Sequence, residues 1–288
     1  RTGQITYQAA LDNTRENNKG RERLYSREKI PGYATSWLLT GILSPDYIDR
    51  TNDGITDDDY GTAIKFQYKQ HTSAYKWRAP YAANTANYNE GFLSDVKDDK
   101  ASYTFGEKEV WYLTRVVGNK MTAVFYTSPR QDGLGVAGHN GGKDEVLKLL
   151  KLDSIRLYTD VEMKKDEADR IPIKVAHFEY DYSLNPNMPN NTGACVQLNN
   201  TAAPDCNDIT SATRNINFHK GKLTLKKVYF TFGQNTRGKS HPYVFHYDTR
   251  PLSEMGITGL PAIPYNDEEY TDNYNLRQVD RWGTYKKS

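Results

Sequence analysis

The sequence predicts a mainly β protein made of antiparallel hairpins, on three observations. Apolar residues recur with a period of two along most of the chain. Two such runs flank Gly118-Asn119, the pattern of a tight hairpin. A short aromatic unit, F-x-Y, recurs where strands end.

In chain order, residues 5–16 are the first helix candidate, and 34–43 (ATSWLLTGIL) the first strand. Residues 62–69 alternate Ile64, Phe66 and Tyr68 against Lys65, Gln67 and Lys69, a half-buried strand, and 74–79 follows as another. Residues 108–117 and 120–127 form the hairpin, with a type II′ turn expected at Gly118-Asn119. Residues 143–151 place Val146, Leu149 and Leu150 on one helical face yet run straight into Ser154–Tyr158. A short helix and a long strand over 147–158 therefore both fit. Further strands fall at 172–182, 222–232 and 242–248. The loops at 80–101, 128–143, 183–220 and 249–280 are long and polar, a length that marks function or docking on a partner. Residues 1–248 are thus expected to form a β-rich region, with a sub-boundary near 128–143. Residues 249–288 are expected to form an extended irregular arm carrying Leu252, Ile257, Leu260, Ile263, Tyr265 and Trp282.

Composition excludes several classes. A mean hydropathy of -0.82 beside 12% aromatic residues, with 22 Tyr against 9 Phe, does not describe a disordered chain. No apolar run reaches the ~18 residues of a membrane-spanning helix. A net charge of only +2 gives no electrostatic case for nucleic acid. The chain opens on Arg1 and is read as a piece of a longer polypeptide. Cys195 and Cys206, in a loop rich in Asn, Pro and Thr, are expected to form a disulfide, which implies an oxidising compartment.

The repeat is clearest in Phe178-Glu179-Tyr180-Asp181 and Phe245-His246-Tyr247-Asp248, with Phe66-Gln67-Tyr68 and Val124-Phe125-Tyr126 at similar positions. Together with the strand start Gly221-Lys222-Leu223, these units resemble the YD repeats of RHS-type proteins. Several further segments are similar to very large secreted proteins of the Bacteroidota. They are Trp37–Thr40 through Asp57–Asp59, Lys97–Tyr103, Arg130–Gly135 and Asp280–Gly283. The resemblance implies an all-β, RHS-like wall segment, secreted or displayed at the cell surface by the type IX route, structural and without an activity of its own. Its partners would be further segments of the same large polypeptide and outer-membrane secretion or surface-anchoring proteins. The alternatives are a carbohydrate-active enzyme using loop carboxylates, and a carbohydrate- or protein-binding adhesin module.

The most specific local signal is 49–60, DRTNDGITDDDY. Asp49, Thr51, Asp53 and Asp57 occupy positions 1, 3, 5 and 9 of a calcium loop, and Ile55 offers its carbonyl at position 7. Hard oxygen donors suit Ca²⁺, although Tyr60 stands where an EF-hand needs Glu. The competing reading is a solvated acidic turn. Tyr75, Trp77, Tyr81, Tyr88 and Tyr103 crowd around one long loop, a candidate binding surface. Gly133–Gly138 spells G-x-G-x-x-G, but a dinucleotide site needs a βαβ setting that nothing here suggests, so a mobile loop is expected. Glu179 and Asp181 share a strand face, as a carboxylate pair for glycoside hydrolysis or as charges bonded to nearby lysines.

Overall fold

The structure, a computed structural model, describes residues 4–19, 23, 25–87, 101–184 and 222–247. The chain is mainly β, as expected. Eight antiparallel strands form one sheet: β2 (Gly41–Leu43), β3 (Ala63–Ala79), β5 (Thr104–Val117), β6 (Met121–Val136), β7 (Lys143–Thr159), β8 (Lys174–Leu184), β9 (Lys222–Thr231) and β10 (Tyr243–Val244). Each of these strands pairs with the next, so the sheet is a meander. A second sheet pairs β1 (Gln4–Thr6) with β4 (Thr85–Asn87), tying the N-terminal segment to the tip of β3.

The pairing is uneven, and this determines the architecture. β3 with β5, β6 with β7, and β8 with β9 form long ribbons. The ribbons join through short ladders, Arg115–Val117 on Thr122–Val124 and Ser154–Leu157 on Lys174–His177. All of these ladders lie at one end of the sheet. At the other end no ladder joins the ribbons among the described residues, and side chains hold them together.

Several expectations change. Residues 143–151 are strand, the first half of β7. Period-two alternation along the β6 ladder outweighs the helical face, because a ribbon partner satisfies every second backbone group. The helix expected over 5–16 shrinks to α1 (Ala9–Asp12). Of 34–43, only Gly41–Leu43 pairs, while 34–40 lacks regular secondary structure. The β5–β6 turn closes between Gly118 and Met121, whose N–H and carbonyl bond at 2.9 Å, so its central residues are Asn119 and Lys120. Gly118 lacks the positive φ that a type II′ turn requires at its first central residue.

The largest correction concerns 128–143. Residues 128–136 complete β6, and Asp132–Val136 are its most buried part. Pro129 and the glycines suggest a loop because they fit poorly in a regular strand. Here they flank a break in register, where β6 passes from Pro129 opposite Leu150 to Leu134 opposite Lys148. Arg130–Gly133 leave the ladder there, and their side chains can point at neighbouring ribbons.

The aromatic units Phe66–Tyr68, Val124–Tyr126, Phe178–Tyr180 and Phe245–Tyr247 fall on β3, β6, β8 and just past β10, every second strand of the sheet, all running in the same direction. The first three lie within their strands rather than at strand ends. Units two strands apart lie roughly 9.5 Å from each other, too far for ring-on-ring contact. Three of the units instead meet cations from the strands between. Arg156 lies 4.1 Å from the Tyr126 ring, Lys151 5.5 Å from Tyr180, and Lys226 5.6 Å from Tyr247. The proposed disulfide at Cys195 and Cys206, and the C-terminal arm at 249–288, lie outside the described residues.

Candidate functional site

Two buried polar knots hold the splayed ends of the ribbons. The first is centred on Arg78, near the end of β3 and only 4% exposed. Its Nε donates to the His139 carbonyl at 2.7 Å, in the β6–β7 turn. One terminal nitrogen donates to the carbonyls of Pro80 and Ala82, and the other to Thr85 O at 2.7 Å and the Tyr7 hydroxyl at 3.0 Å. All five guanidinium N–H groups thus have acceptors, none of them a carboxylate. The Tyr103 ring lies 4.0 Å from the guanidinium carbon and stacks on Tyr7. Asn140 Oδ1 receives both Tyr7 OH and Asn13 Nδ2, completing the knot. Burial lowers the Arg78 pKa, and the tyrosine oxygens oppose that. Gly141, at φ 82°, lets the turn approach β3 so closely that any Cβ would run into the Ala82 carbonyl.

The second knot is Asp132, 2% exposed. Arg130 grips it with two bonds of 2.6 Å, and the backbone N–H of Leu223 in β9 donates to it at 3.1 Å. Burial alone would raise its pKa, but the bonds from Arg130 and Leu223 outweigh that and hold it below the usual carboxylate range. Burial also lowers the Lys222 pKa. The break in register frees Asp132 to reach across from the middle ribbon to the third. From the other side Tyr75, on β3 of the first ribbon, reaches the middle ribbon and donates to Leu134 O at 2.9 Å.

The acidic loop 44–62 connects β2 to β3. Carboxylate oxygens of Asp49, Asp53 and Asp59 come within 4.8 Å of one another. Asp59, rather than Asp57, lies beside Asp49 and Asp53. Thr51 donates to Asp53 Oδ1 at 2.7 Å, and the Ile55 carbonyl receives Lys65 Nζ at 3.0 Å. The loop is closed by its own bonds. Asn52 and Gly54 N–H donate to Asp49, and Thr56 N–H and Tyr47 OH donate to Asp59 Oδ2, at 2.8 and 2.6 Å. The Tyr47 bond comes first among the causes that lower the Asp59 pKa, and it pushes Tyr47 up to about 12. Asn52, at φ 59°, and Gly54, at φ 90°, make the reversal that swings Asp59 rather than Asp57 toward Asp49.

No protein-family model, curated protein or solved structure matches the chain.

Function must then be read from geometry. The five aromatics expected to form one surface are dispersed. Tyr75 is 1% exposed and belongs to the packing between ribbons. Trp77 and Tyr103 line a cleft of about 2460 Å³ between residues 25–38 and β5. Tyr103 already has Arg78 and Tyr7 against it, and Trp77 packs on Gly106. Tyr81 is half-buried, and Tyr88 lies outside the described residues. Glu179 and Asp181 lie 3.5 and 3.9 Å from Lys227 and Lys226 on β9, which ties both carboxylates to cross-strand lysines. Gly133–Val136 form the buried end of β6, so the G-x-G-x-x-G run is neither a phosphate loop nor a mobile one. Sequence reasoning missed both knots. Arg78 falls near the end of a predicted strand and Asp132 in a predicted polar loop, positions that read as solvent-facing for charged residues, and only the packing of one ribbon on another buries them.

Proposed function

We propose that the chain is a structural β-wall segment of a large secreted, RHS-like protein, exported by the type IX route and displayed outside the cell. The observation that carries this reading is the meander itself. Long ribbons follow one another with one aromatic unit, F-x-Y or V-F-Y, per pair of strands, and both outermost strands have an open side among the described residues. A two-strand repeat of this kind can be extended by further segments at either edge. The buried charged groups Arg78 and Asp132 bind ribbon to ribbon. No helix among the described residues is long and apolar enough to cross a membrane. An antibody raised against the purified chain should stain intact source cells and detect a denatured band far above 32.9 kDa. A band of that size confined to the cytosol would contradict the proposal.

Calcium belongs to the same proposal, with Asp49, Asp53 and Asp59 as donors. Their hard, anionic oxygens suit Ca²⁺ and no softer ion. At free calcium one hundred times the dissociation constant, binding should stabilise the chain by about 2.7 kcal/mol. The melting temperature should therefore rise on adding calcium over chelator, and Asp53→Asn should remove the rise. An equal melting temperature with calcium and with chelator would leave a self-bonded acidic turn.

A second reading, an adhesin that binds an extended polymer, is favoured by the cleft lined by Trp77, Tyr103 and Trp111. Its volume exceeds the ~300–1,000 Å³ of small-molecule sites. Quenching of tryptophan fluorescence by soluble polysaccharides, lost in Trp111→Ala, would support it over the wall.

A further inference from the structure

We propose that the two edges of the sheet are complementary, so that the β2 edge of one copy pairs with the β10 edge of a second copy of this chain. The proposal rests on the wall reading and names the partner at its open edges.

Backbone direction comes first. Seven successive antiparallel steps lead from β2 to β10, so the two outermost strands run in opposite directions. A copy displaced sideways without rotation therefore brings its β2 antiparallel to β10, and the meander continues in the same sense. Both strands also sit toward the end of the sheet where the ladder is continuous. β2 pairs with the start of β3, and β10 pairs with Lys227 and Val228 of β9.

Side chains come second. Short edge strands normally carry Lys or Pro to repel an intruding strand. Neither β2 nor β10 contains one. β2 instead exposes Ile42 and Leu43, with Trp37 nearby in sequence at 90% exposure, and β10 exposes Tyr243 at 67% and Val244. Apolar side chains on an unpaired strand favour burial by another strand.

Charge comes third and selects the pairing. The loop between β2 and β3 carries Asp46, Asp49, Asp53, Asp57, Asp58 and Asp59 against the single base Arg50. Residues 222–247, which carry β9 and β10, include Lys222, Lys226, Lys227, Arg237 and Lys239 and no acid. Asp181 and Glu179 of β8 face Lys226 and Lys227, and Asp132 lies near Lys222. Arg237 and Lys239, just before β10, have no acidic partner among the described residues. Like edges repel and unlike edges attract. The contact is thus heterologous, and it builds an open chain rather than a closed dimer.

Sedimentation of the full chain tests this. At an ionic strength of ~0.02 M, the average mass should climb above 32.9 kDa with concentration and show no plateau at two copies. In ~0.5 M salt it should fall back toward monomer, because these exposed charges are then screened. Two double variants sharpen the result. Arg237→Glu with Lys239→Glu, and separately Asp57→Lys with Asp58→Lys, should each weaken self-association at least tenfold while circular dichroism stays that of the parent. The first variant reverses the basic charges beside β10. The second leaves Asp46, Asp49, Asp53 and Asp59 against Arg50 and two lysines, which nearly neutralises the loop, so each removes the attraction. A monomer at all concentrations in low salt, or association indifferent to both reversals, overturns the proposal. That outcome removes the second copy as partner and leaves the wall reading to the cell-surface and band-size test, which does not depend on self-association.

Discussion

Arg78→Ala should destabilise the chain by about 3–5 kcal/mol, because several buried acceptors lose their donor at once, each at a cost of about 1–3 kcal/mol that is not fully additive. For a chain of 288 residues this corresponds to a fall of roughly 5–8 °C in melting temperature. The substitution removes five hydrogen-bond donors at once. It leaves the carbonyls of Pro80, Ala82, Thr85 and His139 buried with fewer partners or none. These acceptors belong to the end of β3, the start of β4 and the β6–β7 turn, so the first and second ribbons should separate at their tips. Arg78→Lys should cost nearly as much. A lysine keeps the charge, but its three donors on a single atom cannot reach carbonyls arranged around a planar fork. Urea unfolding of both variants gives the answer. A loss within about 1 kcal/mol for Arg78→Ala would mean that the knot is not what joins these ribbons.

Asp132→Asn should cost about 2–4 kcal/mol at neutral pH, with part of the loss recovered as Arg130 turns toward water. The side chain of Asp132 is 1% exposed, whereas that of Arg130 keeps 28%. The amide presents a donor where Arg130 and Leu223 N–H both need an acceptor. The pH dependence follows from the direction of the pKa shift. Asp132 is held below its ordinary value of 3.8, so the folded state binds fewer protons than the unfolded state between the two values. Its contribution is complete above pH 3.8 and is lost as pH falls through the lower, folded value. The stability gap between parent and Asp132→Asn should therefore be constant from pH 5 to 7 and should narrow below pH 4. A gap that is the same at pH 3 and pH 7 would show that the carboxylate charge contributes nothing.

Much of the sheet is legible in the sequence. Alternation marks β3, β5, the first part of β6, β8 and β9, because each keeps one face toward neighbouring chain and the other toward water. The positions of the F-x-Y units already carry the two-strand repeat. Their electrostatic partners are hidden, since Arg156, Lys151 and Lys226 lie on the intervening strands and only the register brings them over the rings. The acidic loop is legible as a cluster of donors but not in its final member. Asp59, rather than Asp57, lies beside Asp49 and Asp53 because Asn52 and Gly54 adopt left-handed conformations that reverse the chain. The segment 128–143 misleads most. Pro129, Gly133 and Gly135 look like loop residues, yet they permit the break in register and the close approach of β6 to β3, where a Cβ on Gly135 would lie 3.2 Å from the Lys76 carbonyl. Burial there comes from ribbon packing on ribbon, which local periodicity does not record.

Buried polar knots at the tips, rather than a thick apolar core, hold the three ribbons together. Hydrogen exchange measured by mass spectrometry tests it most directly. Peptides covering Asp132–Val136 should exchange among the slowest in the described residues, with those covering β2 and β10 among the fastest. Arg78→Ala should speed exchange at 132–142 while leaving the Ser154–Leu157 ladder with β8 protected. Fast exchange at 132–136 in the parent chain, or a variant that loosens every strand equally, would contradict it.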